Sequence, residues 1–206
     1  MQNLTARVFD DGDKDPIDPF DLFEEWFAAA QASESQDPNA MTLATVDPSG
    51  MPDARMLLMQ GRSPAGIVFY SNTDSMKGIQ LAENPRAAIV FHWKSLFRQV
   101  RLRGTVEEIG EEESTGYFHS RPHGSQIGAH ASHQSHPLSS REALFARVAS
   151  FESQFAGQEV PRPAFWKGFR LKPIVWDFWR AGEFRLHDRM RFIRSGESWT
   201  RQRLNP

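Results

Sequence analysis

The 206-residue sequence contains no cysteine. That absence excludes disulfide bonds, thiolate zinc sites and cysteine nucleophiles together. The chain also lacks any apolar run near the ~20 residues that a membrane-spanning helix needs. Its first twenty residues, MQNLTARVFDDGDKDPIDPF, are acidic and have none of the apolar character of a signal peptide. We therefore expect a soluble, cytoplasmic protein.

Net charge is also small, at −2 near neutral pH. This balance provides no general attraction for nucleic acid, so a phosphate-binding patch would have to be local. The aromatic residues are unevenly distributed, with 16 Phe and 6 Trp against only 2 Tyr, in a composition that is 39% hydrophobic. The length fits one domain at ~100–200 residues per domain, and such a chain can bury a sizeable core.

The pattern along the chain predicts a mobile N-terminal arm over residues 1–17 and a single domain over residues 18–206. A helix follows the arm, with Asp18 as its N-cap, Pro19 at its first position and apolar Phe23 and Phe27 on one face. A short helix in TDSMKGIQLAENP should begin at Asp74 or Ser75. A third helix should follow the capping box formed by Ser139 and Glu142.

Strand patterns dominate the rest of the sequence. AMTLATVDPSGMPDARMLLM reads as two strands around an Asp-Pro-Ser-Gly turn. Further strands are predicted at GIVFYSN, RAAIVFHW, RQVRLRGTVEEIG, GFRLKPIVWDFWR, EFRLHDRMRFIR and SWTRQRLNP. The segments show no βαβ rhythm, so we predict a mainly β fold, an antiparallel barrel with inserted helices.

The stretch YFHSRPHGSQIGAHASHQS is rich in histidine. His119 and His123 lie four residues apart, and His130, His133 and His136 lie three apart, spacings that suit metal ligands on one helix face. No carboxylate lies among them, and Pro122, Gly124 and Gly128 should break the helix. We therefore predict no metal site and favour a polar loop over a groove.

The same stretch also suits a phosphate group. Tyr117, Arg121 and Ser125 recur every four residues and would present a phenol, a guanidinium and a hydroxyl together. A second polar cluster places Arg185, His187 and Arg189 at strand spacing, on one face. Solvated charges on an edge strand explain this second pattern equally well, so both interpretations stay open at this point.

Four segments together resemble the pyridoxamine/pyridoxine 5′-phosphate oxidase family: YFHSRPHGSQIGAHASHQS, FWKGFRLKP, FWRAGEFRLHDR and the terminal W-x-x-x-RL-x-P. The resemblance runs in order from about Pro19 to Pro206. It implies an FMN-binding split β-barrel with Greek-key-like antiparallel strands, and a homodimer with FMN at the subunit interface. It also implies oxidation of pyridoxamine 5′-phosphate, pyridoxine 5′-phosphate or both to pyridoxal 5′-phosphate in vitamin B6 metabolism, with O₂ as acceptor and H₂O₂ released.

The resemblance assigns roles to individual residues. Those matching FMN contacts are Arg55, Met56, Leu57, Leu58, Met59, Gln60, Tyr70, Ser71, Met76, Lys77, Gln99, Gln134, Ser135, Trp179 and Arg189. Those matching substrate contacts are Gln60, Tyr117, Arg121, Ser125, Arg185 and His187. Of these, Arg185 and His187 match the catalytic residues that lie over the substrate's pyridine ring.

The sequence departs from the family pattern at several places. Gln60 stands where the family usually has a lysine that contacts the substrate phosphate, and Met76 stands where a basic residue often precedes Lys77. Two alternatives are therefore retained: a related split-barrel flavin oxidase with a different substrate, as in the phenazine pathway, and a non-catalytic binder of FMN or pyridoxal phosphate. The HSRP segment argues against the first alternative, and the pair Arg185 and His187 argues against the second.

Overall fold

The computed structural model describes residues 3–13 and 15–206. In that part of the chain the helices are Leu4–Val8 (α1), Pro19–Ser33 (α2), Met76–Glu83 (α3), Glu111–Ser120 (α4), His123–Ala131 (α5) and Arg141–Gln154 (α6). The strands are Ala40–Val46 (β1), Pro52–Leu58 (β2), Gly61–Ser63 (β3), Gly66–Asn72 (β4), Arg86–Trp93 (β5), Arg98–Glu108 (β6), Trp166–Arg180 (β7), Asp188–Ser195 (β8) and Ser198–Leu204 (β9). A 3₁₀ turn at Glu183–Arg185 joins β7 to β8.

All nine strands belong to one antiparallel sheet, with the order β2-β1-β5-β6-β7-β4-β3, and with β8 paired to β7 and β9 paired to β8. The 15-residue strand β7 pairs with β6 along one edge. On its other edge, its first half pairs with β4 and its second half pairs with β8. The sheet therefore forks along β7, and the two branches carry different predicted site residues.

A bulge lies where the two long strands bend. The register of β6 against β7 shifts between Arg103 and Gly104. A Cβ on Gly104 would lie 1.9 Å from the carbonyl oxygen of Lys172. Only glycine allows the two backbones to approach this closely, and the extra residue lets the strand turn.

The main core lies between the sheet and α2. The Asp18 side chain accepts a hydrogen bond from the Phe20 amide, and Pro19 occupies the first turn, which confirms the predicted helix start. The apolar face of α2 buries Phe23 and Trp26 against aromatic rings of the sheet. The ring centroids of Phe23 and Trp176 are 5.4 Å apart, and those of Trp26 and Phe178 are 5.3 Å apart. These rings fix α2 across the strands.

A smaller apolar cluster holds α4, α5 and α6 against the start of β7. It contains buried Phe118, Ile127, Phe155, Val160 and Trp166. This cluster places the histidine-rich stretch beside β4 and the end of β2.

Two local predictions are corrected by the structure. The N-cap of α6 is Ser140, whose hydroxyl accepts a hydrogen bond from the Ala143 amide at 3.1 Å, so Ser139 and Glu142 do not form the predicted capping box. Strand β8 begins only at Asp188. Arg185 therefore does not share a strand face with Arg189, because the chain turns at Phe184 and Arg185 with φ values of 53° and 65°.

The N-terminal arm packs against the domain in this structure. Val8 and Phe9 belong to the main core, and the Thr5 hydroxyl accepts a hydrogen bond from Trp26 Nε1 at 2.7 Å. The mobility of the arm and the domain boundary at residue 18 stay predictions. Among the described helices, none has the length and apolar content to cross a membrane.

Candidate active site

A cavity of about 450 Å³, here called the helical cavity, lies between helices α4 and α5 and strands β2, β4 and β7. Nine predicted site residues line it: Leu57, Leu58, Gln60, Tyr70, Ser71, Tyr117, Arg121, Ser125 and Gln134. Five others were not predicted: Asn72, Gly128, Ala129, Ser132 and Trp166. The three residues proposed for a phosphate group therefore meet in one cavity.

These three residues do not lie on one continuous helix. Helix α4 ends at Ser120 and α5 begins at His123, so the chain breaks at Arg121 and Pro122 as the proline predicts. Gly124 and Gly128, which were also expected to break a helix, lie inside α5.

A buried glutamine ties the two helices together across the break. Gln126 Nε2 donates to the carbonyl oxygens of Arg121, at 2.8 Å, and His119, at 3.2 Å. These bonds satisfy carbonyl groups at the end of α4. The break thus has a fixed shape, which brings Tyr117, Arg121 and Ser125 to the same cavity.

Arg121 is the cation of the helical cavity. Its guanidinium lies 4.9 Å from the ring centroid of Trp166, and burial lowers its pKa. Nη1 is buried and has no hydrogen-bond partner within the described residues. A buried guanidinium nitrogen without an acceptor is costly, and an anionic oxygen in the cavity would satisfy it.

The wall beside Arg121 is aromatic. Tyr70 stacks on Tyr117 with ring centroids 4.0 Å apart, and on Trp166 at 5.1 Å. Burial raises the pKa of Tyr70 to about 12 and also raises the pKa of Tyr117. Both phenols therefore stay protonated at neutral pH and can donate hydrogen bonds without adding negative charge.

A second cavity of about 320 Å³, here called the basic cavity, adjoins the first. Predicted residues lining it are Arg55, Met56, Leu57, Met76, Lys77, Gln134 and Ser135, together with unpredicted Asp53 and Ala54. Leu57 and Gln134 line both cavities. One elongated ligand could therefore extend from one cavity into the other.

Two cations define the basic cavity. Arg55 is held by Thr45 Oγ1 at 2.6 Å and by the carboxylate of Asp53 at 2.5 Å. Lys77 is buried and donates to two neutral oxygens, Ser75 Oγ at 3.0 Å and Gln134 Oε1 at 2.8 Å. Burial, and then the charge of Arg55, lowers the pKa of Lys77 to about 8. An anion in this cavity would stabilise the charged lysine.

Three further predicted residues form a row across strands β6, β7 and β8. Gln99 pairs with Trp179 in the β6–β7 register, and Trp179 pairs with Arg189 in the β7–β8 register. Arg189 donates to Asp177, a carboxylate only 3% exposed, at 3.0 Å. Asp177 was not predicted, although its place two residues before Trp179 puts it on the same strand face.

His187 lies beside this row, and Arg185 lies two residues before it in the 3₁₀ turn. The His187 ring lies 4.7 Å from that of Trp179, and its Nδ1 accepts a hydrogen bond from the Gly182 amide at 3.2 Å. Neither residue lines the helical cavity or the basic cavity.

The predicted site therefore falls into two groups within one chain. Trp166, in the helical cavity, and Trp179, in the row, lie at opposite ends of β7, whose length along the chain is roughly 45 Å at about 3.3 Å per residue. Met59 joins neither group, because its side chain is 4% exposed and packs in the main core.

The histidines are dispersed. His119 and His123 lie on different helices, and His130 Nε2 contacts the carbonyl oxygen of Pro161 at 2.7 Å. Over residues 3–13 and 15–206, no group of three or more histidine, aspartate or glutamate side chains could hold a metal ion.

Comparisons with known proteins identify relatives over almost the whole chain. The family model described as pyridoxamine 5′-phosphate oxidase matches residues 27–155. A second model, described as the pyridoxine 5′-phosphate oxidase C-terminal dimerisation region, matches residues 166–206. A pyridoxine/pyridoxamine 5′-phosphate oxidase from Azorhizobium caulinodans is 54% identical over 98% of this chain and 95% of its own length. One from Caulobacter vibrioides is 53% identical over 92% of this chain and 85% of its own length.

Two solved structures have the same fold. The crystal structure of PhzG from Burkholderia lata, in complex with tetrahydrophenazine-1-carboxylic acid, aligns with a TM-score of 0.89 and 31% identity over 97% of this chain and 98% of that chain. A pyridoxamine 5′-phosphate oxidase-related, FMN-binding protein from Nostoc punctiforme aligns with a TM-score of 0.73 and 17% identity over 92% of this chain and 99% of that chain. The predicted split-barrel fold is confirmed.

Proposed function

The chain belongs to the pyridoxamine 5′-phosphate oxidase family of oxidoreductases, and from this premise we propose that it is an FMN-dependent oxidase in vitamin B6 metabolism. It converts pyridoxamine 5′-phosphate, pyridoxine 5′-phosphate or both to pyridoxal 5′-phosphate, with O₂ as electron acceptor and H₂O₂ as second product. The convergence of Tyr117, Arg121 and Ser125 in the helical cavity carries this proposal.

The three converging groups suit the phosphate of the substrate. Arg121 supplies positive charge through a buried nitrogen that lacks a partner among the described residues. Tyr117 and Ser125 supply neutral donors. With its phosphate anchored in the helical cavity, the substrate can place its ring against a flavin and present the carbon that bears the amine or alcohol. Holding reactants in such an orientation lowers the barrier to reaction.

The basic cavity fits the phosphate of FMN. Lys77 and Arg55 provide the charge, and Gln134 and Ser135 lie beside them. Ser135 has a φ of 69°, a conformation uncommon for serine that is often retained where a loop shapes a ligand site. When bound, FMN would accept a hydride from the substrate carbon and pass the electrons to O₂.

A homodimer would complete the site. Gln99, Trp179, Arg189, Arg185 and His187 lie at or beyond the end of β7 opposite to Trp166, and none of them lines either cavity. We propose that this second group serves the cavities of a partner copy. The C-terminal region that carries most of it matches the dimerisation model.

Within such a site Arg185 and His187 would act on the substrate rather than on cofactor retention. Arg185 steers the pyridine ring, and His187, whose Nδ1 is engaged with the Gly182 amide, offers its remaining ring nitrogen to a polar group of the substrate.

One structural observation favours a second candidate, a related flavin oxidase acting on a different anion. Arg121 is the cationic residue lining the helical cavity, and Gln60 beside it is neutral. A single charge also suits a carboxylate, the group that the Burkholderia lata relative's ligand carries by its name. The identity of about half to the B6-phosphate oxidases favours the first candidate.

Anaerobic mixing of the flavin-loaded protein with candidate substrates separates these functions. We expect pyridoxine 5′-phosphate to bleach the flavin, and aerobic turnover to release peroxide with at least one of the two phosphorylated vitamers. Bleaching only by other reductants would indicate the second candidate. No bleaching by any of them would indicate a non-catalytic binder.

The variant Gln60→Lys sharpens the test. An added ammonium beside Arg121 should lower KM for pyridoxine 5′-phosphate by roughly tenfold, the value of one charge-assisted hydrogen bond. Unphosphorylated pyridoxine is the matched control, and its KM should not change. Equal effects on both compounds would contradict a phosphate site at Arg121.

A further inference from the structure

The turn between β7 and β8 carries an unusual backbone. Phe184 and Arg185 are consecutive non-glycine residues with φ values of 53° and 65°. L-residues rarely adopt this conformation. Phe184 is 89% exposed and Leu186 is 72% exposed, so burial of their side chains does not hold the turn in this shape. Other contacts must therefore stabilise the conformation that presents Arg185 and His187.

Two hydrogen bonds inside the turn contribute to this conformation. The Leu186 amide donates to the carbonyl oxygen of Glu183 at 2.9 Å, and the Gly182 amide donates to His187 Nδ1 at 3.2 Å. A Cβ on Gly182 would lie 2.1 Å from the carbonyl oxygen of Leu186, so the turn closes tightly at this point.

The Asp188 carboxylate links the strands at the base of the turn. Asp188, the first residue of β8, pairs with Arg180, the last residue of β7. Asp188 Oδ2 accepts from Arg180 Nε at 2.8 Å and lies 2.7 Å from its Nη2. Asp188 Oδ1 accepts from Arg203 Nη1 at 2.7 Å. One side chain thus ties three neighbouring strands together directly below the turn.

The N-terminal arm covers these two arginines. Arg203 Nη2 donates to the carbonyl oxygen of Phe9 at 2.6 Å, and its Nε donates to Asp11 at 2.9 Å. The Arg180 guanidinium lies 4.4 Å from the Phe9 ring centroid. Phe9 in turn packs on Trp26 of α2, with ring centroids 6.4 Å apart. The charges therefore form a network anchored in the core, which constrains geometry more than an isolated surface pair does.

We propose that Asp188 is a positioning residue, and that together with Arg180, Arg203 and Phe9 it locks the turn so that Arg185 and His187 face the substrate. The roles of Arg185 and His187 rest on the proposed function, whereas the lock is a property of the chain itself. The lock links the N-terminal arm to turnover, because it ties residues from the start of the chain to the turn.

The test compares Asp188→Asn and Arg203→Gln with a matched control. Glu107→Gln is suitable, since Glu107 also contacts two cations, Lys172 at 2.9 Å and Arg170 at 3.7 Å, but lies elsewhere on the sheet. Arg203→Gln removes the link to the arm while leaving the Arg180–Asp188 pair intact, so it remains informative if Asp188→Asn does not fold.

The first readout is hydrogen exchange of the amides in residues 181–187 in the FMN-bound protein. We expect exchange to be about fivefold faster or more in both lock variants, while Glu107→Gln matches wild type and the α4–α5 segment is unchanged in all three. Unchanged exchange at residues 181–187 would overturn the lock.

The second readout is turnover with pyridoxine 5′-phosphate. We expect kcat to fall roughly tenfold to a hundredfold in Asp188→Asn, as displacement of orienting groups does, with FMN content and melting temperature equal to those of Glu107→Gln. The positioning role would be overturned if kcat of Asp188→Asn equalled that of Glu107→Gln. It would also be overturned if kcat fell only in proportion to a loss of FMN content and melting temperature. If wild type itself does not oxidise B6 phosphates, the proposed function fails while the exchange result still decides the lock.

Discussion

At the residue scale, the candidate site depends on two cations, half-buried Arg121 and buried Lys77, whose counter-charges are few or absent. Arg121 has a buried nitrogen without a partner among the described residues, and Lys77 contacts only neutral oxygens through its two hydrogen bonds. Burial of a charge is unfavourable unless something neutralises it. Each of these side chains is therefore better explained by an anionic ligand than by the stability of the fold.

Lys77 leads to a pH-dependent prediction for FMN binding. Its pKa of about 8 in the free protein should rise when a phosphate occupies the basic cavity. FMN affinity should then be constant below pH 8 and fall by up to about tenfold per pH unit above it, because binding must take up a proton. Fluorescence titration of the apoprotein between pH 6.5 and 9.5 measures this. The variant Lys77→Met should bind FMN more weakly, and its FMN affinity should no longer fall with pH above pH 8. An equal pH dependence in the variant and the wild type would rule out Lys77 as its source.

At the element scale, the strands and the helix after Asp18 could be predicted because their signals are local. Alternating burial in β6 and the Asp18-Pro19 start of α2 follow directly from residue type and spacing. The turn at Phe184 and Arg185 could not be predicted, since no glycine marks those positions and contacts from Asp188 and Arg203 stabilise it. The role of Gln126 could not be predicted either, because its hydrogen bonds across the α4–α5 break depend on tertiary geometry.

The bulge between β6 and β7 provides a stability prediction at this scale. Gly104→Ala places a methyl group against the Lys172 carbonyl and should destabilise the protein by about 3 kcal/mol or more, through backbone displacement. Gly116→Ala is the control, since it lies within helix α4 with open space around it and should stabilise by about 1 kcal/mol. Urea denaturation of both variants measures the free energy of unfolding. Equal effects would mean that the close approach at Gly104 is not required.

At the scale of the whole molecule, the two ends of β7 carry different sets of residues that the proposed reaction needs together. The helical cavity lies at the end of β7 that pairs with β4, and the row formed by Gln99, Trp179 and Arg189 crosses β6, β7 and β8 at the other end of β7. The basic cavity is lined mainly by β2 and α3 and shares Leu57 and Gln134 with the helical cavity. The resemblance assigned both sets to one site, but residue spacing could not show that Trp166 and Trp179 lie at opposite ends of one strand. In the proposed homodimer, each site would take one set of residues from each copy.

Activity recovered by mixing two inactive variants tests the central claim most directly. Arg121→Leu disables the helical cavity, and Arg185→Leu disables the turn. If each site draws on two copies, co-refolding equal amounts yields mixed dimers with one intact site, and peroxide release with pyridoxine 5′-phosphate should recover to about a quarter of wild type, because half of randomly paired dimers are mixed. If instead one chain holds the whole site, the mixture will show no more activity than the two variants measured separately.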